Sequence, residues 1–438
     1  MDKYKSLLKE LVSFKSISTD KAYVSEINKT VDWLLKQFEK NGFSARAFEG
    51  YGNPVVYAKY EVSPNAKTVL IYGHYDVQPA SKEDGWSFDP FVLTEKEGKL
   101  YARGVVDNKG QFLIHLVSVL ELIEQGSLKY NVKFLIEGNE ETGGAGLDRL
   151  IKEEKEEFAC DYIMISDGEL PYKPVITASF RGTANITLNL RTAKNNLHSG
   201  LYGGAVPSAS VELANLLSSL YDDNYRVKIP GFYDGLAEMT EEEKEQCLKM
   251  DKERQRHLDS LGIKKFFIDD KGSFSATVGF ESMVMPTGIS SGYTGEGYSN
   301  IVPSSASAKI NFRIGANQNT KEMVSSFKEF VKSRVPNYVF LDIDDSGEYI
   351  EPVKVDITSP MHQKTINLLR EVYKDDVLVD YCGATIPIVV DFKEVFGVDP
   401  LLVSLGNDDC NMHGVDENFD IGLIKKGLEF SKRFFSQT

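Results

Sequence analysis

The sequence predicts an α/β protein: a three-layer domain with a mostly parallel sheet, assembled from both ends of the chain, with an α+β domain inserted between them. Three observations predict it. Over the first 180 residues short continuous apolar runs alternate with helical patterns, as strands covered on both faces require. At Phe180-Arg181-Gly182 the character changes, and 184–191 alternates apolar with polar residues as a half-exposed strand does. Uninterrupted apolar runs then return before a closing helix. The boundaries that follow are 1–180 and 358–438 for the outer domain and 181–357 for the insert.

The elements follow in order. Residues 4–14 and 24–38 carry apolar side chains at helical spacing, and Asn41-Gly42 supplies a C-terminal stop for the second helix. Residues 55–60 and 68–72 are β-rich. A helix at 109–124 ends at Gly126, and 132–136 is a buried strand. The charged helix 147–156 leads to another apolar strand at 162–165. Within the insert the pattern predicts a helix at 208–220, a charged helix at 241–258, strands at 308–314 and 338–343, and a helix at 321–334 between them. Then come a helix at 361–373, strands at 386–390 and 401–404, and a helix at 421–435.

Composition bounds the function. With 438 residues and 42% hydrophobic content the chain is long enough for two or three cores. Its net charge of −15 argues against a sequence-independent nucleic-acid binder, which needs a basic surface. Apolar runs fall well short of the roughly 20 residues of a membrane span. The charged N-terminus reads as an amphipathic helix, and four scattered cysteines (Cys160, Cys247, Cys382, Cys410) suit a reducing, cytoplasmic setting.

There are only six histidines, so each context can be weighed. His74-Tyr75-Asp76 follows the strand at 68–72, where open α/β sheets place ligands; one imidazole nitrogen suits a metal while Asp76 holds the other. Alone this is a weak signal. Asp107-Asn108-Lys109-Gly110 precedes a helix, and Asp107 fits a helix N-cap as well as a carboxylate bridging two metals. Glu140 and Glu141 follow the strand at 132–136 among glycines. A surface turn is one reading; the other gives one carboxylate to a metal and the other to proton transfer. Asp167 follows the strand at 162–165, and His413 follows the one at 401–404. Five such places, each following a buried strand or an extended segment, with two imidazoles and three carboxylates, make one two-metal hydrolytic site the economical reading, with donors suited to zinc, manganese or cobalt. His198 stands apart in Leu197-His198-Ser199-Gly200, inside the insert. His115, His257 and His362 receive no role.

Several strings carry a family resemblance: Gly73-His74-Tyr75-Asp76-Val77-Gln78-Pro79, Trp86-x-x-Asp89-Pro90-Phe91, Leu100-Tyr101-x-Arg103-Gly104 and Asp107-Asn108-Lys109-Gly110. With Arg181-Gly182, Leu197-His198-Ser199-Gly200, Ile386-Pro387 and His413, the chain resembles the dinuclear-zinc metallopeptidases related to aminoacylase and glutamate carboxypeptidase. It is closer to the branch of carnosine and cytosolic non-specific dipeptidases. The resemblance implies two zinc ions per subunit, with manganese or cobalt as alternatives. Asp107 would bridge both ions, His74 and Asp167 would complete one, and Glu141 and His413 the other. Glu140 would be the general base and later the acid, and Asp76 would orient His74. The Asp107–Asn108 peptide would be cis. The insert would be a lid and dimerisation domain of a homodimer, from which His198 reaches the partner subunit's active site to stabilise the oxyanion. Asn300 would lie near that oxyanion, and Arg313 would grip the substrate's carboxylate with its guanidinium fork.

One stretch departs from that branch, which usually has Glu-Gly-Gly-Ser before Ile-Pro. Here Cys382-Gly383-Ala384-Thr385 stands in its place. Ala384 and Thr385 would remain in the substrate-binding stretch, and Thr385 can still donate a hydrogen bond to a carboxylate. No carboxylate is left at Cys382 to read a free amine. The expected activity is hydrolysis of amide bonds in short peptides, of dipeptidase or carboxypeptidase type. The alternative is deacylation of N-acetyl or N-succinyl amino acids, which share the free carboxylate. A non-catalytic binding protein retaining the fold is the rival from another class, and it is disfavoured because every ligand and the base are present.

Overall fold

The structure is a computed structural model that describes residues 1–437 except Ala145, Tyr172 and 269–271; the side chains of Arg256, His257 and Ser260 also lie outside the described residues. The chain forms two compact units. One comprises Met1–Ala178, Val355–Asp380 and Pro387–Thr438; the other comprises Ser179–Lys354 and Tyr381–Ile386. The short segment Tyr381–Ile386, assigned from sequence to the outer domain, therefore groups with the insert.

In the first unit the strands run in the order Ser44–Phe48, Val55–Tyr60, Asn131–Glu137, Thr68–His74, Tyr162–Ile165, Leu401–Ser404 and Val175–Phe180. The central pairings are parallel: Thr68–His74 lies between Asn131–Glu137 and Tyr162–Ile165, and the last of these pairs with Leu401–Ser404. Those at either side are antiparallel, so the sheet is mixed, with its parallel part confined to the middle. That middle matters most for function, because parallel neighbours bring their carboxyl ends to one edge.

Side-chain alternation shows the three layers. Phe134 and Gly73 point to one face, where Phe134 meets Phe38 of helix Val24–Glu39 and Gly73 meets Phe112 of helix Lys109–Glu124. Tyr57 and Tyr72 point to the other face, against Phe158 of helix Lys155–Phe158 and Phe392 of helix Pro387–Phe396. Gly73 is needed for this approach: a Cβ there would lie 2.7 Å from both Asn108 Oδ1 and Phe112 Cβ. The helix Lys109–Glu124 is apolar nearly all round and buried along most of its length, packed between the sheet and other helices.

One predicted strand is wrong. Residues 386–390 are a run of apolar residues, but they open the helix Pro387–Phe396. Proline fits the first helical position, and buried Ile388, Val389, Phe392 and Val395 repeat at helical spacing. A five-residue apolar run is too short to show its period.

The second unit has a fully antiparallel sheet in the order Met283–Ser291, Ser305–Ile314, Gly182–Arg191 and Phe340–Ile350. Ile186, Leu188, Ile310 and Phe312 face a core that includes Leu213 and Leu216 of helix Ala209–Ser219 and Val324 and Phe327 of helix Thr320–Arg334. Phe312 and Phe327 meet edge to face at 5.1 Å. Helix Glu241–Ser260 begins with a reciprocal capping box between Thr240 and Glu243.

His115 has a structural place consistent with the absence of a catalytic assignment. It is fully buried, with Nδ1 3.1 Å from Ser431 Oγ and Nε2 2.9 Å from Ser166 Oγ. Burial pushes its pKa down to about 3. Between that value and the unfolded value near 6.5, the unfolded chain binds the extra proton, so stability rises with pH and is lost as pH falls from 6.5 toward 3. The slope from this one group is about 1.4 kcal/mol per pH unit. Denaturant midpoints measured between pH 7 and 4 should therefore fall more steeply for the wild type than for His115→Gln; parallel curves would refute a neutral buried imidazole.

Candidate metal centre

The strand Thr68–His74 delivers His74 to the sheet edge as a fully buried side chain. Its Nδ1 is 3.1 Å from the Asp76 carbonyl oxygen and 3.4 Å from Asp76 Oδ1. That leaves Nε2 facing Asp107 Oδ1 at 3.0 Å and Asp167 Oδ2 at 3.6 Å. Asp167 follows the neighbouring parallel strand Tyr162–Ile165. Asp107 is not a helix cap: the N-cap of Lys109–Glu124 is Asn108, and no side chain caps that helix. The Asp107–Asn108 peptide is cis.

The second imidazole meets the other oxygen of the same carboxylate. His413 Nε2 lies 2.8 Å from Asp107 Oδ2 and 3.2 Å from Glu141 Oε2. His413 has a positive φ of 60° and its side chain is 54% exposed, so the site has one wet side. Two donor groups result, His74–Asp107–Asp167 and Asp107–Glu141–His413, with the ligand atoms of each within 4.8 Å of one another and Asp107 in both. The structure thus brings together all five residues singled out in the sequence.

Glu140 and Glu141 open a single 3-10 turn, Glu140–Thr142, after strand Asn131–Glu137. Gly138 is required there, since a Cβ would lie 2.1 Å from the Tyr75 hydroxyl. Asp76 does more than hold His74: its Oδ1 accepts from the Glu140 amide at 3.3 Å and its Oδ2 from the Glu141 amide at 3.2 Å. Gln78 donates to both oxygens of Glu141, through its backbone amide at 3.2 Å and Nε2 at 2.7 Å. Glu140 belongs to neither donor group.

Charge supports the grouping. Burial raises the pKa of Glu140; His74 opposes the rise, and Asp107 and Glu141 add to it. Burial also raises Asp167. His413 is pushed up to about 10 by hydrogen bonds to Asp107 and Glu141. At His74 the cost of burying a charge is outweighed by Asp107 and Asp76, and its pKa rises as well. Five carboxylates (Asp76, Asp107, Glu140, Glu141 and Asp167) face two imidazoles. Such an excess of sequestered negative charge is expensive unless cations balance it, so the donor set fits divalent metal.

The other candidates stand in the second unit. His198 is exposed at the end of Leu197–His198, which pairs with Ile301–Val302. Its Nδ1 accepts from the Gly200 amide at 3.1 Å, so the neutral ring carries its proton on Nε2. Asn300 is next to it in space, its carbonyl accepting from the Ser199 amide at 2.9 Å. Arg313, on strand Ser305–Ile314, donates from Nη1 to Thr385 Oγ1 at 2.8 Å, and Thr385 donates to the Arg181 carbonyl at 2.5 Å. Ala384 is exposed and contributes a backbone carbonyl, which accepts from the Arg181 amide at 3.1 Å. Arg181 has no assigned role in the sequence reading, yet it organises this stretch: Nε donates to the Gly383 carbonyl and Nη1 to that of Glu281, both at 3.0 Å. Burial and the neighbouring Arg313 charge push its pKa down to about 10.

A metallohydrolase centre on an α/β sheet is the class that this geometry defines. Residues 70–437 match the model of Peptidase family M20/M25/M40, and the chain belongs to that family; it is a metallopeptidase that uses divalent metal. It is 32% identical over 401 residues to the human Beta-Ala-His dipeptidase, covering 87% of this chain and 77% of that protein. It is 29% identical over 457 residues to the Cys-Gly metallodipeptidase dug1 of Schizosaccharomyces pombe, covering 98% and 94%. Among solved structures, the M20 family metallo-carboxypeptidase Sso-CP2 from Sulfolobus solfataricus superposes with a TM-score of 0.87 at 30% identity, over 100% of this chain and 99% of that one. Human carnosine dipeptidase 1 follows the same fold at 0.81 and 28% identity, over 99% and 95%. No helix among the described residues is long and apolar enough to cross a membrane.

Asp76 holds three groups at once, so Asp76→Ala should weaken metal retention and also loosen the Glu140–Glu141 turn. The expected result is a loss of turnover of at least tenfold that added metal restores only in part. Full restoration by metal would limit Asp76 to orienting His74.

Proposed function

We propose that this metallopeptidase hydrolyses the amide bond of short peptides that carry a free C-terminal carboxylate, with two divalent ions, zinc foremost, at each centre. The observation that carries this reading is the Asp107 carboxylate, whose two oxygens each meet one imidazole nitrogen. His74 and Asp167 would hold one ion, Glu141 and His413 the other, and Asp107 both. When bound, such ions polarise a carbonyl and lower the pKa of water.

The chain supplies the rest. Glu140, with its raised pKa, takes the proton of the attacking water on its carboxylate and passes it to the leaving nitrogen. Asp76 keeps the Glu140 amide and the His74 ring in register. His198, donating through Nε2, stabilises the developing oxyanion, with Asn300 beside it. We assign this His198 to the partner subunit of a homodimer, with the inserted unit as lid and dimerisation surface. Arg313 grips the substrate carboxylate, its guanidinium steadied by Thr385 and by the Ala384 stretch packed on Arg181. The reduced state suited to four cysteines supports a cytoplasmic setting.

The residues 381–386 read Tyr-Cys-Gly-Ala-Thr-Ile and contain no carboxylate to demand a free amine. This favours a range wider than dipeptides, in line with a carboxypeptidase among the structural relatives. The same gap keeps deacylation of N-acyl amino acids as the second reading. Rates on Ala-Ala-type dipeptides, longer peptides, and N-acetyl and N-succinyl amino acids, with zinc or manganese added, separate the two. Activity confined to the acylated set would replace the peptidase assignment.

Glu140→Gln should lower kcat by about 10²–10⁴-fold with metal content unchanged; normal turnover would remove Glu140 as the base. Mixing inactive His198→Ala with inactive Glu140→Gln under conditions of proven subunit exchange should restore part of the activity, because one site of the heterodimer then has both groups intact. No recovery would argue for a site complete within one chain.

A further inference from the structure

Glu417 has no exposed surface, and Arg103 retains 3%. Neither was given a role from sequence, although Arg103 lies in a string that carries the family resemblance. The Glu417 carboxylate accepts four hydrogen bonds. Oε2 takes Arg103 Nη1 at 2.8 Å and the Gly104 amide at 2.9 Å. Oε1 takes the Val106 amide at 2.9 Å and the Asp107 amide at 3.2 Å. A carboxylate offers about four lone-pair sites, so this one is saturated. Three of its four donors are backbone amides of the loop that ends in Asp107. Arg103 extends the connection through Nη2 to the Gly414 carbonyl at 3.0 Å, one residue past His413. Its guanidinium also lies 5.3 Å over the Trp86 ring, which fixes its plane.

We propose that the buried Arg103–Glu417 pair is a positioning clamp that sets metal affinity by fixing the loops of Asp107 and His413 to one another. The inference rests on the reading that those two residues hold the ions. Stability alone does not explain the pair. Desolvating two charges is costly, and an apolar pair of the same volume often serves a core as well. What an apolar pair cannot do is hold the amides of Gly104, Val106 and Asp107 and a carbonyl on a second loop at fixed positions. Asp107 serves both donor groups, so an error in its placement degrades both; Gly414 borders only His413, so the Arg103 fork bears on one.

Two variants test this. Glu417→Gln keeps the shape but turns one acceptor into a donor that faces backbone amides. Arg103→Lys keeps the charge but loses the fork that reaches Glu417 and Gly414 together. Holoenzyme loaded with zinc is equilibrated against graded chelator, and the metal retained is measured by atomic spectroscopy alongside the melting temperature. Glu417→Gln should release both ions at about 10- to 100-fold lower free chelator, the range that outer partners of metal ligands usually command. Arg103→Lys should release one ion early and the other near the wild-type concentration, with kcat recovering in excess zinc. Melting shifts with unchanged retention curves in both variants would make the pair a purely structural ion pair and overturn the proposal. Were Glu417→Gln insoluble, wild-type retention in Arg103→Lys would overturn it alone. Wild-type protein that holds no divalent metal after loading would overturn the reading of the site, and the clamp with it.

Discussion

The geometry of the donor cluster depends on the Asp107 carboxylate, shared between two imidazoles that come from opposite ends of the sequence. His74 is on the central strand of the sheet, and His413 is in a loop more than 300 residues later. Each approaches a different oxygen of one side chain. That requirement fixes much else. Gly73 must lack a side chain so that strand Thr68–His74 can lie against Asn108 and Phe112. Gly110 must lack one because a Cβ would fall 1.8 Å from the Val105 carbonyl oxygen, inside the turn that presents Asp107. The carboxyl ends of the parallel strands must meet at one edge, which is what places Asp167 and the Glu140–Glu141 turn beside His74.

Geometry alone gives neighbours of the same chemical type different surroundings. Glu140 and Glu141 are adjacent in sequence, yet Glu141 is held by Gln78 and lies against His413, while Glu140 has no place in either donor group. Asp76 binds the amides of both, so the turn cannot shift one carboxylate without shifting the other. A single 3-10 turn thereby places one carboxylate in a donor group and keeps its neighbour out of both.

Much of this was legible in the sequence, and the limits have physical causes. Buried strands were legible because covered strands read as continuous apolar runs, and each residue of the two donor groups followed such a run or stood in a loop at a helix start. The run at 386–390 failed because five apolar residues carry no period, and Pro387 is as welcome at a helix start as at a strand edge. The antiparallel outer strands were not separable from parallel ones, since register is a property of pairing and not of composition. Strand Met283–Ser291 was not legible because its Met-Val-Met start is broken by Pro286 and Gly288, and only Val284 is buried. Glu417 was invisible for a different reason: a single glutamate in an acidic loop looks solvated, and only the fold shows four donors around it.

The two units use charge in opposite ways, and this bears on what the enzyme can accept. The first gathers carboxylates and needs cations. The second places Arg313 close enough to Arg181 to help push the Arg181 pKa down, and Arg313 has Thr385 beside it but no carboxylate bonded to it among the described residues. On the proposed reading, a guanidinium held by a hydroxyl and bonded to no carboxylate is where a substrate carboxylate would dock. The formal charge of −15 gives no hint of this, because net charge sums over a surface while recognition depends on a few buried groups. On the same reading the absence of an acidic residue at Cys382 works in the same direction: that stretch would offer no negative charge to a substrate amine. Discrimination would then fall on the carboxylate end, which short peptides and acylated amino acids have in common.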